Sequence, residues 1–366
     1  MNRIVIIAVI IILLLCLFAD TFQTETFDRN SKTWATSTSC YQITQIYSDI
    51  LGKYNVKRTY GNNWTVFIPC SYNNINTELR SITPNKNQLV FALKYADELV
   101  SKSTLWLHLL NYYKSRSNAT KYAPLTYVLY KPSDLALFQK EYQANKYYIL
   151  KKNIQRQEGI KITNNKASIM SGFLSGYVVA QELLQKPFLV NDRKINLRVY
   201  VLIVCQNNAL EAYVHNEGFM YYTKSEYKAN SNDFSENITT GYIDRWVYDI
   251  NPLTHTDFRK YLDNQEPGKS KKVFNNIHKL LINVISALKE PLLKNPNEYK
   301  TFQLFGADVA ISDDLQAYII EFNKGPSLDC KDDRDCNVKK SVVTDVFDLL
   351  GIITPNHQNN NFVRLI

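Results

Sequence analysis

Apolar positions along the chain change period several times, and each change predicts an element. Leu105, Trp106, Leu109, Leu110 and Tyr113 recur three and four apart, which predicts a helix over 99–114. Ser133-Asp134 opens a second helix running to about Ala144, with Leu135, Leu137 and Phe138 inward. Val273, Phe274, Ile277, Leu280, Leu281, Val284, Ile285 and Leu288 mark a long amphipathic helix. Residues 126–129 and 147–150 read as short strands. Residues 20–90 are polar and irregular, with strand-like pieces such as 64–68. No internal repeat is visible, and strands alternating with helices predict an α/β or α+β chain.

Two stretches with strand periodicity carry chemistry. In 192–203, Lys194, Asn196 and Arg198 alternate with Ile195, Leu197 and Val199, so three polar groups share one sheet face. The strand then turns wholly apolar, which suggests a lined cleft; an edge strand with a wet face is the alternative. Residues 301–311 and 317–323 read as a hairpin turning at Ser312-Asp313-Asp314. Counting back from that turn sets Asp308 opposite Glu321, with Asn323 on the same face as Glu321. Two carboxylates and an amide oxygen among Phe, Val and Ile need a cation, and hard oxygen ligands suit Mg²⁺ shared with phosphates. The alternative is an acidic face turned to water.

Charge and composition narrow the options. Residues 101–200 hold sixteen Lys/Arg against five Asp/Glu, while the whole chain carries only +9. Such a block predicts an anionic partner or a solvated lysine-rich face. The chain has 11 glycines, and neither G-x-G nor G-x-x-x-x-G-K occurs. This excludes the dinucleotide fingerprint and the Walker loop, so any nucleotide is gripped by side chains. A loop between strands at 148–162 holds Lys151, Lys152, Arg156 and Gly159 and is a second phosphate candidate.

The N-terminus differs from the rest. Residues 4–19 are an unbroken apolar run after Arg3, slightly short for a spanning helix. The weak cleavage site favours an uncleaved anchor over a signal peptide, and so a single-pass membrane protein of undecided sidedness. Asn63, Asn118 and Asn237 head glycosylation sequons. Cys40–Cys70 and Cys330–Cys336 could pair around a lone Cys205, or all could be reduced thiols. No C-x-x-C occurs and the five histidines are scattered, which argues against zinc.

Several ordered motifs over about 250 residues resemble the tubulin tyrosine ligase-like family. These are 101–113 with 124–129, 148–162, Val178-Val179-Ala180-Gln181-Glu182-Leu183-Leu184, Arg193-Lys194-Ile195-Asn196-Leu197-Arg198, and 302–328 with its F-x-L-F-G-x-D and E-x-N-x-x-P patterns. The resemblance implies an ATP-grasp fold over 97–350, after an anchor (1–19) and a variable region (20–96) and before a tail (351–366). It implies ATP and Mg²⁺ as cofactors. Lys151 would hold the α- and β-phosphates, under a loop including Gln157 and Gly159. Gln181, Glu182, Leu183 and Leu184 would hold adenine. Lys194 and Arg198 would act at the γ-phosphate and the acceptor carboxylate, beside Asn196, and Asp308, Glu321 and Asn323 would carry Mg²⁺. The implied reaction joins a free amino acid to a protein or peptide carboxylate through an acyl phosphate, in the manner of a glutamylase, glycylase or tyrosine ligase.

The pattern departs from the family in places. Lys152 replaces a proline, Gln157 a glycine, Asn196 an aspartate and Tyr221 an arginine. The lost arginine argues against tubulin among acidic tails as the acceptor. A non-catalytic, membrane-tethered nucleotide- or tail-binding module is the competing reading. A monomer with no nucleic-acid partner is expected.

Overall fold

A computed structural model describes residues 32–72, 75–154, 159–355 and 359–366. Fifteen strands are present among them. β1 (Thr33–Ala35), β2 (Lys57–Arg58), β3 (Val66–Phe67) and β4 (Leu89–Val90) come first. β5 (Thr126–Val128), β6 (Tyr148–Lys151), β7 (Ile160–Thr163) and β8 (Val179–Glu182) follow. Then come β9 (Leu189–Val190), β10 (Arg193–Gln206), β11 (Ala209–Thr223), β12 (Thr239–Thr240), β13 (Lys300–Ile311), β14 (Ala317–Asn323) and β15 (Phe362–Arg364).

They form two sheets. The larger has eleven strands, ordered β12-β11-β10-β13-β4-β3-β1-β2, with β14 on β13, β15 on β11 and β9 on β10. The smaller is antiparallel, ordered β5-β8-β6-β7. The chain is therefore mixed α/β. One edge of β13 is shared: its N-terminal end pairs with β4 and its C-terminal half with β14.

The long strands exist because their inward positions are aliphatic. Ile195, Leu197, Val199, Val201 and Ile203 of β10 are all buried. β10 pairs with β11 on one side and β13 on the other, over ten or more residues each. This centre is covered by the helix α3 (Lys269–Leu292), and all eight apolar positions named for it are buried. The smaller sheet has its own core of Tyr127, Leu129, Phe138, Tyr148 and Leu150.

Several expectations change in detail. The helix expected over 99–114 is two: Asp97–Val100, then α1 (Lys102–Tyr113), because Ser101 between them is extended. The next helix, α2 (Pro132–Glu141), starts with a proline in its first turn, where no backbone donor is needed. Residues 33–90, expected to be irregular, supply four strands to the main sheet. The cysteines resolve as disulfides Cys40–Cys70 and Cys330–Cys336, with Cys205 a buried thiol. Asn63 and Asn118 are exposed, but Asn237 is buried and donates to the Ser231 and Asp233 carbonyls.

The single-pass membrane assignment is corrected. Among the described residues no helix is long and apolar enough to cross a membrane. The run 4–19, on which the anchor expectation rested, lies outside the described residues.

Candidate active site

The smaller sheet faces the ends of β10, β13 and β14, and the polar side chains named above meet there. Alternation along β10 puts Lys194, Asn196 and Arg198 on one face. Lys194 and Asn196 line a cavity of about 90 Å³ with Lys151, Gln181, Glu182, Leu183 and Leu184 from the smaller sheet and its exit. Asp308 and Glu321 close its floor, and Ile149, Ile160 and Ile320 supply apolar walls. Arg198 instead lines an adjoining cavity of about 350 Å³, which also holds Asn323. The two cavities share Thr239, Asp308 and Glu321.

Two lysines in the smaller cavity are buried without an ion pair to a described residue. The Lys151 ammonium donates to Gln181 Oε1 at 2.8 Å, and Gln181 in turn donates to Thr126 Oγ1 at 3.0 Å. Burial lowers its pKa from the usual 10.5 to about 8, against the pull of Glu321. Lys194 falls to about 8 as well, through burial and then repulsion from Lys151. Two desolvated cations side by side cost stability unless an anion joins them.

The acids sit opposite each other as expected, though a bulge between Asp308 and Val309, rather than the turn alone, sets their register. Asp308 is the register partner of Glu321, and Gly306 that of Asn323. Arg198 Nε donates to Asp308 Oδ1 at 2.6 Å, and its Nη2 to Oδ2 at 3.2 Å. Burial raises the Asp308 pKa; Arg198 opposes this and Glu321 adds to it. Burial is the largest single influence on the Arg198 pKa and would lower it, but the Asp308 carboxylate together with Tyr221 and Tyr200 makes the net direction up.

Close approach of the backbone makes room for this pair. A Cβ at Gly306 would lie 2.9 Å from Arg198 Cδ. On its other side the guanidinium lies 5.1 Å from the Tyr221 ring centre. That ring leans on Gly241, where a Cβ would approach to 2.8 Å. Tyr221 is also the register partner of Asn196. The two positions at which the sequence departs from the expected pattern are thus neighbours across β10 and β11, and both carry uncharged side chains.

The fit to Mg²⁺ rests on donor chemistry. Two carboxylates and an amide from adjacent strands suit a hard cation that takes its remaining ligands from phosphates and water. Among the described residues, Asn196 Oδ1 and Asn323 Nδ2 are buried without a hydrogen-bond partner; the first is an acceptor open to a donor or cation, the second a donor open to an anion's oxygen. No cluster of three or more His, Cys, Asp or Glu that could hold a metal occurs among the described residues.

Not every expected residue converges. Gly159 stands beside Lys152, whose N–H donates to its carbonyl, rather than in the cavity lining. Gln157 lies outside the described residues. The Leu183 N–H is committed to the Tyr147 carbonyl at 2.9 Å. Glu182 is paired with Lys146 at 2.6 Å.

Other residues arrive that sequence reasoning did not single out for the site. Lys102, at the start of α1, reaches Glu321 at 3.6 Å. The break at Ser101 was the available signal, since it frees the next side chain from the preceding helix. Tyr242, Arg245 and Tyr248 line the larger cavity from the segment after β12. Lys331, Asp335 and Lys339 line it from the start of helix α4 (Asp333–Leu349) and the loop before it.

Tubulin polyglutamylase ttll-4 of Caenorhabditis briggsae is 24% identical over 274 residues, covering 69% of this chain and 44% of that protein. Probable tubulin polyglutamylase TTLL2 of Mus musculus is 27% identical over 250 residues, covering 63% and 44%. Probable tubulin polyglutamylase TTLL9 of Rattus norvegicus is 26% identical over 181 residues, covering 48% and 38%. The chain thus spans less than half the length of these relatives. A model of the tubulin-tyrosine ligase family matches residues 80–361, which take in both sheets' site strands and the whole hairpin, and the chain belongs to that family.

Proposed function

We propose that the chain is an ATP- and Mg²⁺-dependent amino acid ligase with an ATP-grasp fold, acting on a protein or peptide carboxylate. The observation that carries this reading is the pair of buried lysines, neither with an ion pair to a described residue, facing the Asp308–Glu321 pair across one cavity. Phosphates supply the missing anions. The aliphatic walls accept a flat base, with Gln181, Glu182, Leu183 and Leu184 around it. Asp308, Glu321 and Asn323 would hold Mg²⁺, which offsets phosphate charge when bound. Gln157 and Gly159 are proposed for the phosphate loop on sequence alone.

The chemistry then needs no protein nucleophile. An acceptor carboxylate oxygen attacks the γ-phosphorus, the bond to ADP breaks, and an acyl phosphate forms. The amine of a free amino acid attacks the acyl carbon and sheds a proton. Phosphate leaves with the C–O electron pair and an amide remains. Lys194 and Arg198 stabilise charge on the transferring group and the acceptor, so catalysis is positioning and neutralisation. The relatives named as tubulin polyglutamylases support an acidic tail as the acceptor class.

Phosphate release in the presence of ATP, candidate amino acids and acidic peptides tests the proposal. Release that requires both an amino acid and a peptide is expected. Absence of turnover from protein shown to bind ATP overturns it. A binding module without catalysis is the second reading, favoured by the neutral Asn196–Tyr221 pair. Glu321→Gln separates the two: biological activity is lost under the first and unchanged under the second.

A further inference from the structure

The larger cavity differs from its neighbour in how its charges are arranged. Four described cations line it, and three already have a carboxylate. Arg198 holds Asp308, Lys339 holds Asp335 at 2.6 Å, and Arg245 holds Asp332 just behind the wall. Lys331 is the fourth. It donates to the Gly241 carbonyl and lies 4.4 Å from the Tyr242 ring centre, with no ion pair to a described residue. Burial and repulsion from Lys339 lower its pKa, consistent with a cation short of an anion. Phe219, Tyr221, Tyr242 and Tyr248 share the remaining wall with polar residues and with two further carboxylates, Glu321 and Asp329.

This arrangement offers one cationic partner to an incoming molecule. A free α-amino acid brings one carboxylate in common with all others. A second carboxylate on its side chain would have to be desolvated without a cation or take one from an existing pair, and both are costly. An uncharged side chain meets no such penalty and is not repelled by Glu321 and Asp329 in the wall.

We propose that the larger cavity takes a free α-amino acid with an uncharged side chain, its α-carboxylate held by Lys331. This rests on the ligase reading for its purpose, though not for its binding. It separates this chain from its relatives named as polyglutamylases. The discriminating residues are the pairs that silence Arg245 and Lys339, together with Lys331.

Asp332 provides a specific lever. One of its oxygens caps α4 by accepting the Asp335 N–H at 2.8 Å, while the other holds Arg245. Asparagine caps a helix as well as aspartate does. Asp332→Asn therefore keeps the cap while releasing a guanidinium into the cavity wall.

The test is calorimetric titration of the full chain, saturated with a non-hydrolysable ATP analogue, with glutamine, phenylalanine and glutamate. Glutamine and glutamate differ at the side-chain terminus, where an amide replaces a carboxylate. Glutamine or phenylalanine is expected to bind at least about tenfold tighter than glutamate. Lys331→Gln should weaken that binding about tenfold, and Lys331→Arg should restore it, with the analogue's own affinity reporting that each variant is folded. Asp332→Asn should raise glutamate affinity about tenfold. Glutamate binding as tightly as glutamine overturns the proposal, and so does failure of every amino acid to bind. Phosphate release is read in parallel. Amino acid binding without turnover defeats the ligase reading and leaves this one standing; efficient turnover with glutamate does the reverse.

Discussion

The two cavities of the site lie side by side and share a floor, yet they treat positive charge in opposite ways. In the smaller, Lys151 and Lys194 are buried; Lys151 donates to an amide, and the charge of Lys151 repels that of Lys194. In the larger, Arg198, Lys339 and Arg245 each have a carboxylate of their own. A protein holds an unneutralised buried cation at a cost in folding stability, and the cost is recovered when an anion binds. A neutralised cation is part of the wall. The difference teaches which ligand charge each half expects: strongly negative in one and nearly balanced in the other.

Breaking a member of each half should push stability in opposite directions. Arg198→Met leaves the Asp308 carboxyl buried beside Glu321 and should cost about 3 kcal/mol in chemical denaturation without nucleotide. Lys151→Met should instead raise the melting temperature of the nucleotide-free protein while weakening ATP binding about 100-fold by calorimetry. A fall in melting temperature for both would erase the distinction between the halves.

The pH dependence sharpens the same contrast. Folding holds Lys151 and Lys194 near 8, below their usual 10.5. Their destabilisation is complete below pH 8 and is relieved as pH rises from 8 toward 10.5. Nucleotide-free stability should therefore climb across that window, as far as these two groups control it. ATP affinity should fall by about tenfold between pH 7.5 and 9 as both ammonium groups lose protons. The Lys151→Met variant should lose part of each trend. The smallest effect is expected at Tyr221, where Tyr221→Leu removes the ring against Arg198 and should cost about 1 kcal/mol.

Legibility from sequence followed periodicity. The hairpin was largely countable from its turn at Ser312–Asp314, but a bulge between Asp308 and Val309, which no count from the turn reveals, skips Ile320 and brings Asp308 opposite Glu321. The face shared by Lys194, Asn196 and Arg198 followed from alternation alone. β3 falls within the strand-like piece 64–68, but β1, β2 and β4 were not legible, since two or three residues carry no period; β1 to β3 pair locally, and only β4 joins them to distant β13. Lys102, Tyr242, Arg245 and Lys331 come from loops and helix starts, where tertiary contact, not local pattern, decides what faces the site. The membrane expectation rested on a run of apolar residues outside the described chain, and nothing in the described helices carries it.

β10 carries Lys194 and Asn196 into one cavity and Arg198 into the next. Alternate residues on a strand are spaced about 7 Å apart, and hydrogen bonds on both edges hold that spacing. The strand is thus a graduated rule laid between two binding sites. A loop could be lengthened to suit a new substrate, but one residue inserted here would turn every side chain beyond it to the opposite face. New specificities in this architecture are therefore expected to accumulate in the segments around the rule, at positions such as 221, 245 and 332, while its graduations stay fixed.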